Sequence, residues 1–191
     1  LLWTGSEYGL SWCPGSNDLS VTRVLASGTA HGGRLEWIGN MYCHCHDMAW
    51  GSSSFALVWP THEPRQAQLV LIDVQTFEAD VTALGPADIK PMRTTWTGSE
   101  FAAVWSAPCE EDHCAMFTRV DGDGSEVGEE VVLGRFGPEN ETCGLVWTGS
   151  KLLAGWYTPP TLSLIRFSPG GTVSATTEIS DDAEPELGIQ G

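Results

Sequence analysis

The sequence predicts an all-β chain made of four copies of one four-stranded antiparallel unit. Three observations lead there. The spacing W-x8-W occurs four times, at Trp3/Trp12, Trp50/Trp59, Trp96/Trp105 and Trp147/Trp156, and uses eight of the nine tryptophans. The first tryptophans of successive pairs lie 47, 46 and 51 residues apart, a period typical of repeat architectures. Each pair brackets a turn written Trp-Thr-Gly-Ser or a close variant, and no segment carries a convincing helical period.

The third copy shows the unit most clearly. Arg93-Thr94-Thr95-Trp96 runs through Thr97-Gly98-Ser99-Glu100 into Phe101-Ala102-Ala103-Val104-Trp105, a Gly-containing turn between two short β-prone runs, which signals a hairpin. With Gly98 and Ser99 as the turn residues, Trp96 lies opposite Phe101. Alternation then puts Phe101, Ala103 and Trp105 on the face of Trp96. The same register pairs Trp3 with Tyr8, Trp50 with Phe55 and Trp147 with Leu152. A third apolar run follows in each copy, at Leu19 to Leu25, Gln68 to Val74, Ala115 to Val120 and Leu162 to Phe167. After a turn, clearest at Asp121-Gly122-Asp123-Gly124 and Ser168-Pro169-Gly170-Gly171, come fourth runs such as Glu129 to Leu133 and Thr172 to Ile179.

Four-stranded meanders of this period, aromatic on their faces, read as blades of a β-propeller, because a lone blade cannot bury both faces and must stack on its neighbours. The tryptophans are therefore expected to be interblade packing rather than stacking platforms for a sugar or base. The phrases Leu2-Trp3-Thr4-Gly5-Ser6-Glu7-Tyr8, Thr95-Trp96-Thr97-Gly98-Ser99-Glu100-Phe101 and Val146-Trp147-Thr148-Gly149-Ser150, with Arg119-Val120-Asp121-Gly122-Asp123-Gly124, resemble repeats of secreted bacterial β-propeller proteins. The resemblance implies a scaffold and carries no catalytic residue. The second copy departs from it, reading Trp50-Gly51-Ser52-Ser53-Ser54-Phe55.

One propeller domain over 1–191 is expected, with blades near 1–46, 47–92, 93–143 and 144–191. The four blades either close into a ring or form a segment of a larger propeller or assembly, since Ser180 to Leu187 reads like the approach to another first strand. The chain starts at Leu1 inside a repeat, as a processed or excised segment would.

Composition narrows the partners. Twenty-five acidic residues against nine Lys plus Arg leave a net charge of −16, which repels phosphate backbones and anionic lipid. No apolar run is long enough for a transmembrane helix. Nucleic acid and membrane insertion are thus excluded, and a protein or glycan partner, or self-assembly, is expected. Six cysteines in an acidic, lysine-poor chain point to an extracellular, periplasmic or envelope location.

In a meander the connections alternate between two ends. Cys13, Cys109 and Cys114 fall in second-to-third-strand loops, and Cys43, Cys45 and Cys143 in or beside interblade links, which places all six at one end. His44, His46, His62 and His113 share that end with Glu110, Glu111, Asp112, Glu139, Glu141, Asp181, Asp182, Glu184 and Glu186, while His31 lies at the other. Its loops also read as the longest and least alike. A rigid scaffold presents function on its loops, so the binding surface is expected here, around Cys43, His44, Cys45, His46, His62, Glu110, Glu111, Asp112 and His113.

The cysteines admit two sensible pairings: Cys109 with Cys114, or Cys13 with Cys43 or Cys45 together with Cys109 or Cys114 with Cys143. A bridge stabilises by roughly 2–4 kcal/mol. Cys43, His44, Cys45, His46 and Met48 instead offer thiolate, imidazole and thioether, donors suited to copper or zinc, although an extended chain sends the cysteines and histidines to opposite sides unless it bends. Asp121-Gly122-Asp123-Gly124 contains part of a calcium loop without its full ligand pattern. The acidic link Asp181, Asp182, Glu184 and Glu186 could hold a hard cation, and Asn140-Glu141-Thr142 fits a glycosylation sequon. No nucleophile elbow, phosphate-binding glycine loop or zinc-protease motif is present. The expectation is a non-enzymatic binding or structural module with no certain cofactor.

Overall fold

A threonine organises the hairpin that opens three of the four repeats. In Thr97-Gly98-Ser99-Glu100 the Thr97 backbone N–H and hydroxyl both donate to the Glu100 carbonyl, each at 2.9 Å, and the Thr97 hydroxyl oxygen accepts from the Glu100 N–H at 3.2 Å. The turns at Thr4 to Glu7 and Thr148 to Lys151 repeat all three bonds. Their glycines hold φ of 103°, 100° and 90° at Gly5, Gly98 and Gly149, a conformation that a side chain disfavours. The second copy has glycine where the others have threonine. A Cβ on Gly51 would lie 2.1 Å from the Trp96 ring, so the departure makes room for the neighbouring repeat's tryptophan.

The chain, seen in a computed structural model, is described over 1–15, 17–38, 40–51 and 53–180, without the side chains of residues 37, 38 and 143. It is all-β. Sixteen strands form four antiparallel sheets. Blade 1 comprises β1 (Leu2–Trp3), β2 (Glu7–Trp12), β3 (Asp18–Leu25) and β4 (Ala30–Ile38). Blade 2 comprises β5 (Asp47–Gly51), β6 (Ser54–Pro60), β7 (Gln66–Asp73) and β8 (Ala79–Pro86). Blade 3 comprises β9 (Arg93–Trp96), β10 (Phe101–Cys109), β11 (Asp112–Val120) and β12 (Val131–Phe136). Blade 4 comprises β13 (Glu141–Trp147), β14 (Leu152–Thr158), β15 (Thr161–Phe167) and β16 (Val173–Ser180). The single helical element described is a 3-10 turn at Cys43–Cys45.

The expected register holds in all four hairpins: Trp3 pairs with Tyr8, Trp50 with Phe55, Trp96 with Phe101 and Trp147 with Leu152. The three aromatic pairs meet in tilted contact with centroids 4.6–5.0 Å apart. First strands run side by side, β1 beside β5, β5 beside β9 and β9 beside β13, so the blades fan out from a common inner edge in the manner of a propeller.

Alternation assigns each face a neighbour. Phe55, Leu57 and Trp59 of blade 2 pack on Leu19 and Val21 of blade 1. Phe101, Ala103 and Trp105 of blade 3 pack on Val58, Leu69 and Leu71 of blade 2. Leu152, Ala154 and Trp156 of blade 4 pack on Ala102, Val104 and Phe117 of blade 3. The tryptophan-bearing face thus covers the face of the preceding blade on which the second strand carries smaller residues, Ala56 and Val58 in blade 2 and Ala102 and Val104 in blade 3. A Cβ on Gly9 would meet the Phe55 ring at 2.5 Å, which shows how close the approach is. Each buried aromatic removes roughly 150–250 Å² from water, about 4–6 kcal/mol as an upper bound. At the margin of the first interface Glu7 holds Arg23 at 3.3 Å, with Arg23 over the Phe77 ring, and His31 reaches the other Glu7 oxygen.

Among the described residues no hydrophobic cluster joins blade 1 to blade 4. The structure also corrects the expected loop lengths. β10 and β11 meet through the two residues Glu110 and Glu111, with Cys109 opposite Asp112, while the longest hairpin loop runs from Asp121 to Glu130, between β11 and β12 at the opposite end. The Cys109–Cys114 bridge lets β-pairing continue through residues whose polarity suggested an open loop.

Two substitutions separate the interfaces from the exposed face. Trp105→Ala is expected to cost about 3–5 kcal/mol, read as a lower midpoint in chemical denaturation, whereas Trp12→Ala, at the same position of half-exposed blade 1, is expected to cost less than half as much. Gly51→Ala, which displaces the Trp96 ring, is expected to cost about 1–3 kcal/mol.

Candidate functional site

The link from blade 1 to blade 2 bends where an extended chain would have separated its cysteines from its histidines. Tyr42 accepts from the Cys45 N–H at 3.0 Å, and Cys43 from the His46 N–H at 3.2 Å, closing the 3-10 turn. The His46 ring folds back so that Nδ1 meets the Cys43 carbonyl, and Nε2 lies 3.0 Å from the Ser11 hydroxyl. A carbonyl can only accept, so Nδ1 carries a proton, and in the neutral ring Nε2 accepts from Ser11. Cys43 is bonded to Cys13, which ties the β2–β3 loop to this turn.

A second group lies beside it. Tyr42 and His62 rings lie in tilted contact with centroids 3.7 Å apart, and His62 Nε2 is 2.9 Å from Asn17 Oδ1. The His62 N–H donates to the Asn40 carbonyl at 3.3 Å, and the Asn40 side-chain oxygen accepts from the Glu63 N–H at 2.9 Å. Asn40 adopts φ of 53°, a left-handed conformation that asparagine tolerates better than most residues. Loops from two blades and the link between them thus converge on one half-exposed aromatic and imidazole patch.

On blade 3, Cys109–Cys114 closes the tight turn, Glu110 binds Arg135 at 2.7 Å, and Glu111 and Asp112 are exposed. His113 Nδ1 lies 2.5 Å from Asp88 Oδ2, joining this hairpin to the link from blade 2. The neighbouring link is fastened by Lys90 to the Pro138 carbonyl, and by buried Asn140, whose side chain accepts from Ser106 at 2.6 Å and donates to Gly137 at 2.7 Å. Asn140 therefore clasps the link to blade 3, and its buried side chain is not available for glycosylation in the folded chain.

The expected metal set does not assemble as a unit. The Cys43 sulfur is oxidised, His44 is exposed, and Met48 packs into the core between blades 1 and 2. Among the described residues the donor cluster that forms is Cys13, Cys43 and His46, with ligand atoms within 4.8 Å of one another. Of the two expected pairings, each contributes one bridge, Cys109–Cys114 and Cys13–Cys43; since Cys109 and Cys114 hold each other, neither joins Cys143. The Cys143 side chain, and Asp181, Asp182, Glu184 and Glu186, lie outside the described residues. Asp121-Gly122-Asp123-Gly124 is a hairpin turn: the Asp121 carboxylate accepts from the Asp123 and Ser125 N–H groups at 3.2 and 3.0 Å.

Cys45 is a free thiol. Partial burial raises its pKa above the ordinary value; the nearby Arg93 guanidinium opposes this and Glu141 adds to it. Sequence reasoning missed Ser11, Asn17, Tyr42 and Asp88, whose roles arise from contacts between blades that no local spacing encodes.

No protein-family model matches the sequence, and no curated protein sequence does. Solved structures are similar in fold. A mutant of the Synechocystis protein ACO superposes with a TM-score of 0.57 at 8% identity, covering 92% of this chain and 46% of that one. The subtype N10 neuraminidase-like protein of A/little yellow-shouldered bat superposes with a TM-score of 0.51 at 10% identity, covering 93% of this chain and 48% of that one. The chain thus spans about half the length of the structures it resembles. At such identities the likeness concerns the arrangement of sheets alone.

Peptide mapping of the unreduced protein after alkylation is expected to find Cys13 linked to Cys43, Cys109 linked to Cys114, and Cys45 alkylated. Because its thiolate is disfavoured, Cys45 should react more slowly at pH 8 than an unstructured cysteine peptide, and its rate should still be climbing beyond the pH at which the peptide levels off. A Cys45 rate equal to the peptide's would contradict the burial.

Proposed function

We propose that this chain is a non-enzymatic β-propeller binding module of the extracellular space or cell envelope, and that the disulfide-bearing loop end is its recognition surface. The observation that supports this most is the convergence of Tyr42, His62, Asn17 and Asn40 from two blades and their link onto one patch, anchored by the Cys13–Cys43 bridge. Aromatic and amide groups held on a rigid base suit a protein segment or a glycan, since an aromatic side chain offers contact area at little entropic cost. Two disulfides fit an oxidising compartment. The carboxylates Glu111 and Asp112 on the same end favour neutral or basic partners over anionic ones.

The Cys13, Cys43 and His46 cluster supports a second reading, in which a reducing environment converts the bridge into a copper or zinc site with two thiolates and one imidazole. Ser11 would then have to release the His46 Nε2 atom. As long as the bridge is intact, this reading predicts no stoichiometric copper or zinc; after reduction it predicts one equivalent by elemental analysis, lost in His46→Ala. Equal metal content in both redox states, or none in either, would remove it.

The recognition reading is tested with arrays of neutral glycans and of lysine- and arginine-containing peptides. Tyr42→Ala combined with His62→Ala is expected to weaken the strongest interaction found by tenfold or more, the scale of an interface hot spot, with little change in melting temperature. Unchanged affinity in the double variant would overturn the assignment of the patch.

A further inference from the structure

The patch around Tyr42 and His62 is assembled from two parts that are held in different ways. The link between blades 1 and 2 is fastened to blade 2 through its backbone. Met41 forms a β-bridge with Thr61, the Tyr42 N–H donates to the Pro60 carbonyl at 3.1 Å, and Asn40 accepts from the His62 and Glu63 N–H groups at 3.3 and 2.9 Å. Tyr42, His62 and Asn40 therefore belong to one body with blade 2.

Asn17 belongs to the other part. It lies in the β2–β3 connection, of which Cys13, Pro14, Gly15 and Asn17 are described, beyond the last β2–β3 pair, Trp12 with Ser20. Among the described residues, two bonds join this connection to the link and to blade 2: the Cys13–Cys43 bridge, and the contact of Asn17 Oδ1 with His62 Nε2 at 2.9 Å. The second is exposed, and an exposed hydrogen bond exchanges with water at little net cost. Ordering a free stretch of chain costs more than one such bond returns. The bridge therefore decides whether Asn17 stays beside His62.

The second disulfide has no such leverage. Cys109 and Cys114 lie on strands whose pairing runs unbroken from Phe101 with Val120 to Cys109 with Asp112, so that hairpin keeps its shape without its bridge. Access sets the direction of attack on the first bridge. Cys43 is fully buried, whereas Cys13 is only half-buried, so an incoming thiolate reaches the Cys13 sulfur.

We propose that Cys13–Cys43 is a redox latch on the recognition patch. A dithiol reductant opens it, the β2–β3 connection loosens and Asn17 leaves His62, while Tyr42, His62 and Asn40 stay in place with a weaker hold on their partner. One thiolate of the reductant attacks Cys13 Sγ, the S–S bond breaks and Cys43 departs as a thiolate; the second thiolate then displaces Cys13, and the reductant ends as a disulfide. Two electrons pass to the protein, and the two protons of the dithiol end on Cys13 and Cys43. A disulfide oxidant reverses the sequence. The control of recognition rests on the assignment of the patch made above, whereas release of the connection does not.

The test compares the full chain with its bridges intact and after dithiothreitol, with a chelator present so that the freed thiols stay unligated. Reduction should lower the backbone order parameters of Gly15 and Asn17 from about 0.85 to below about 0.6, while those of Tyr42 and His62 stay in the rigid range. The neutral glycan or basic peptide whose array binding depends on Tyr42 and His62 should bind the reduced chain about three- to tenfold more weakly, the scale of one lost hydrogen bond. Asn17→Ala should lose the same affinity with the bridge intact, and nothing more on reduction. Cys13→Ser should show the loosened connection and the weaker binding before any reductant is added. Dithiothreitol should then change neither, which excludes a contribution from Cys109–Cys114. If circular dichroism shows that Cys13→Ser does not fold, Asn17→Ala carries the comparison. Order parameters unchanged by reduction would overturn the latch, as would a patch-dependent ligand held equally in both states. If no array member depends on Tyr42 and His62, the recognition reading fails by itself, and the order parameters still decide whether the latch exists.

Discussion

Everything in this structure hangs on the contact between the aromatic face of one blade and the small-residue face of the blade before it. A four-stranded sheet of this size cannot bury enough apolar surface by itself to offset the entropy of ordering its chain. The stack does so by using each middle strand twice. On β6, Phe55, Leu57 and Trp59 face blade 1 while Ala56 and Val58 face blade 3; on β10, Phe101, Ala103 and Trp105 face one way and Ala102 and Val104 the other. In both strands the run from Phe55 to Trp59, or from Phe101 to Trp105, is buried without a break. The alternation also explains the size asymmetry in the sequence, since a large ring on one face requires a small residue on the facing one, most visibly where Trp96 lies over Gly51.

The loop end is built on that frame and depends on it. Ser11 lies on the blade 1 face that meets blade 2, and the His46 ring reaches it only because the two sheets are held at packing distance. The Tyr42 and His62 ring contact, the His113 and Asp88 pair and the Asn140 clasp likewise tie a blade to the link beside it. The end can therefore hold side chains in fixed relation without long ordered loops of its own. The two disulfides serve different purposes. Cys109–Cys114 extends a hairpin, whereas Cys13–Cys43 spans the first interface.

The repeat made most of the scaffold readable in advance. Trp spacing and the Thr-Gly-Ser turn give the register, and register with period-two alternation gives the faces; the pairings of Trp3, Trp50, Trp96 and Trp147 follow directly. Readings that needed knowledge of tertiary approach fared less well. Glu110 to His113 looks like a loop because it is polar, yet strand pairing continues through Asp112 and His113, since the bridge and the neighbouring β12 provide partners that composition does not reveal. Cys43 to His46 looks like a metal-binding run because its donors are adjacent. A 3-10 turn then sends one sulfur to Cys13 and one imidazole to Ser11, residues 30 and 35 positions away. The concentration of cysteine and histidine at one end was visible from topology alone, but which of them meet was not.

Native-state hydrogen exchange tests the primacy of the interblade contact most directly. If face-to-face burial holds the fold, the amides of β6 and β10 exchange most slowly, protection falls toward the outer strands β4, β8, β12 and β16, and reduction of both disulfides loosens the loop end while leaving β6 and β10 protected. Protection of β6 and β10 no greater than that of the outer strands, or its loss on reduction, would show that the bridges and not the stacked faces hold the chain together.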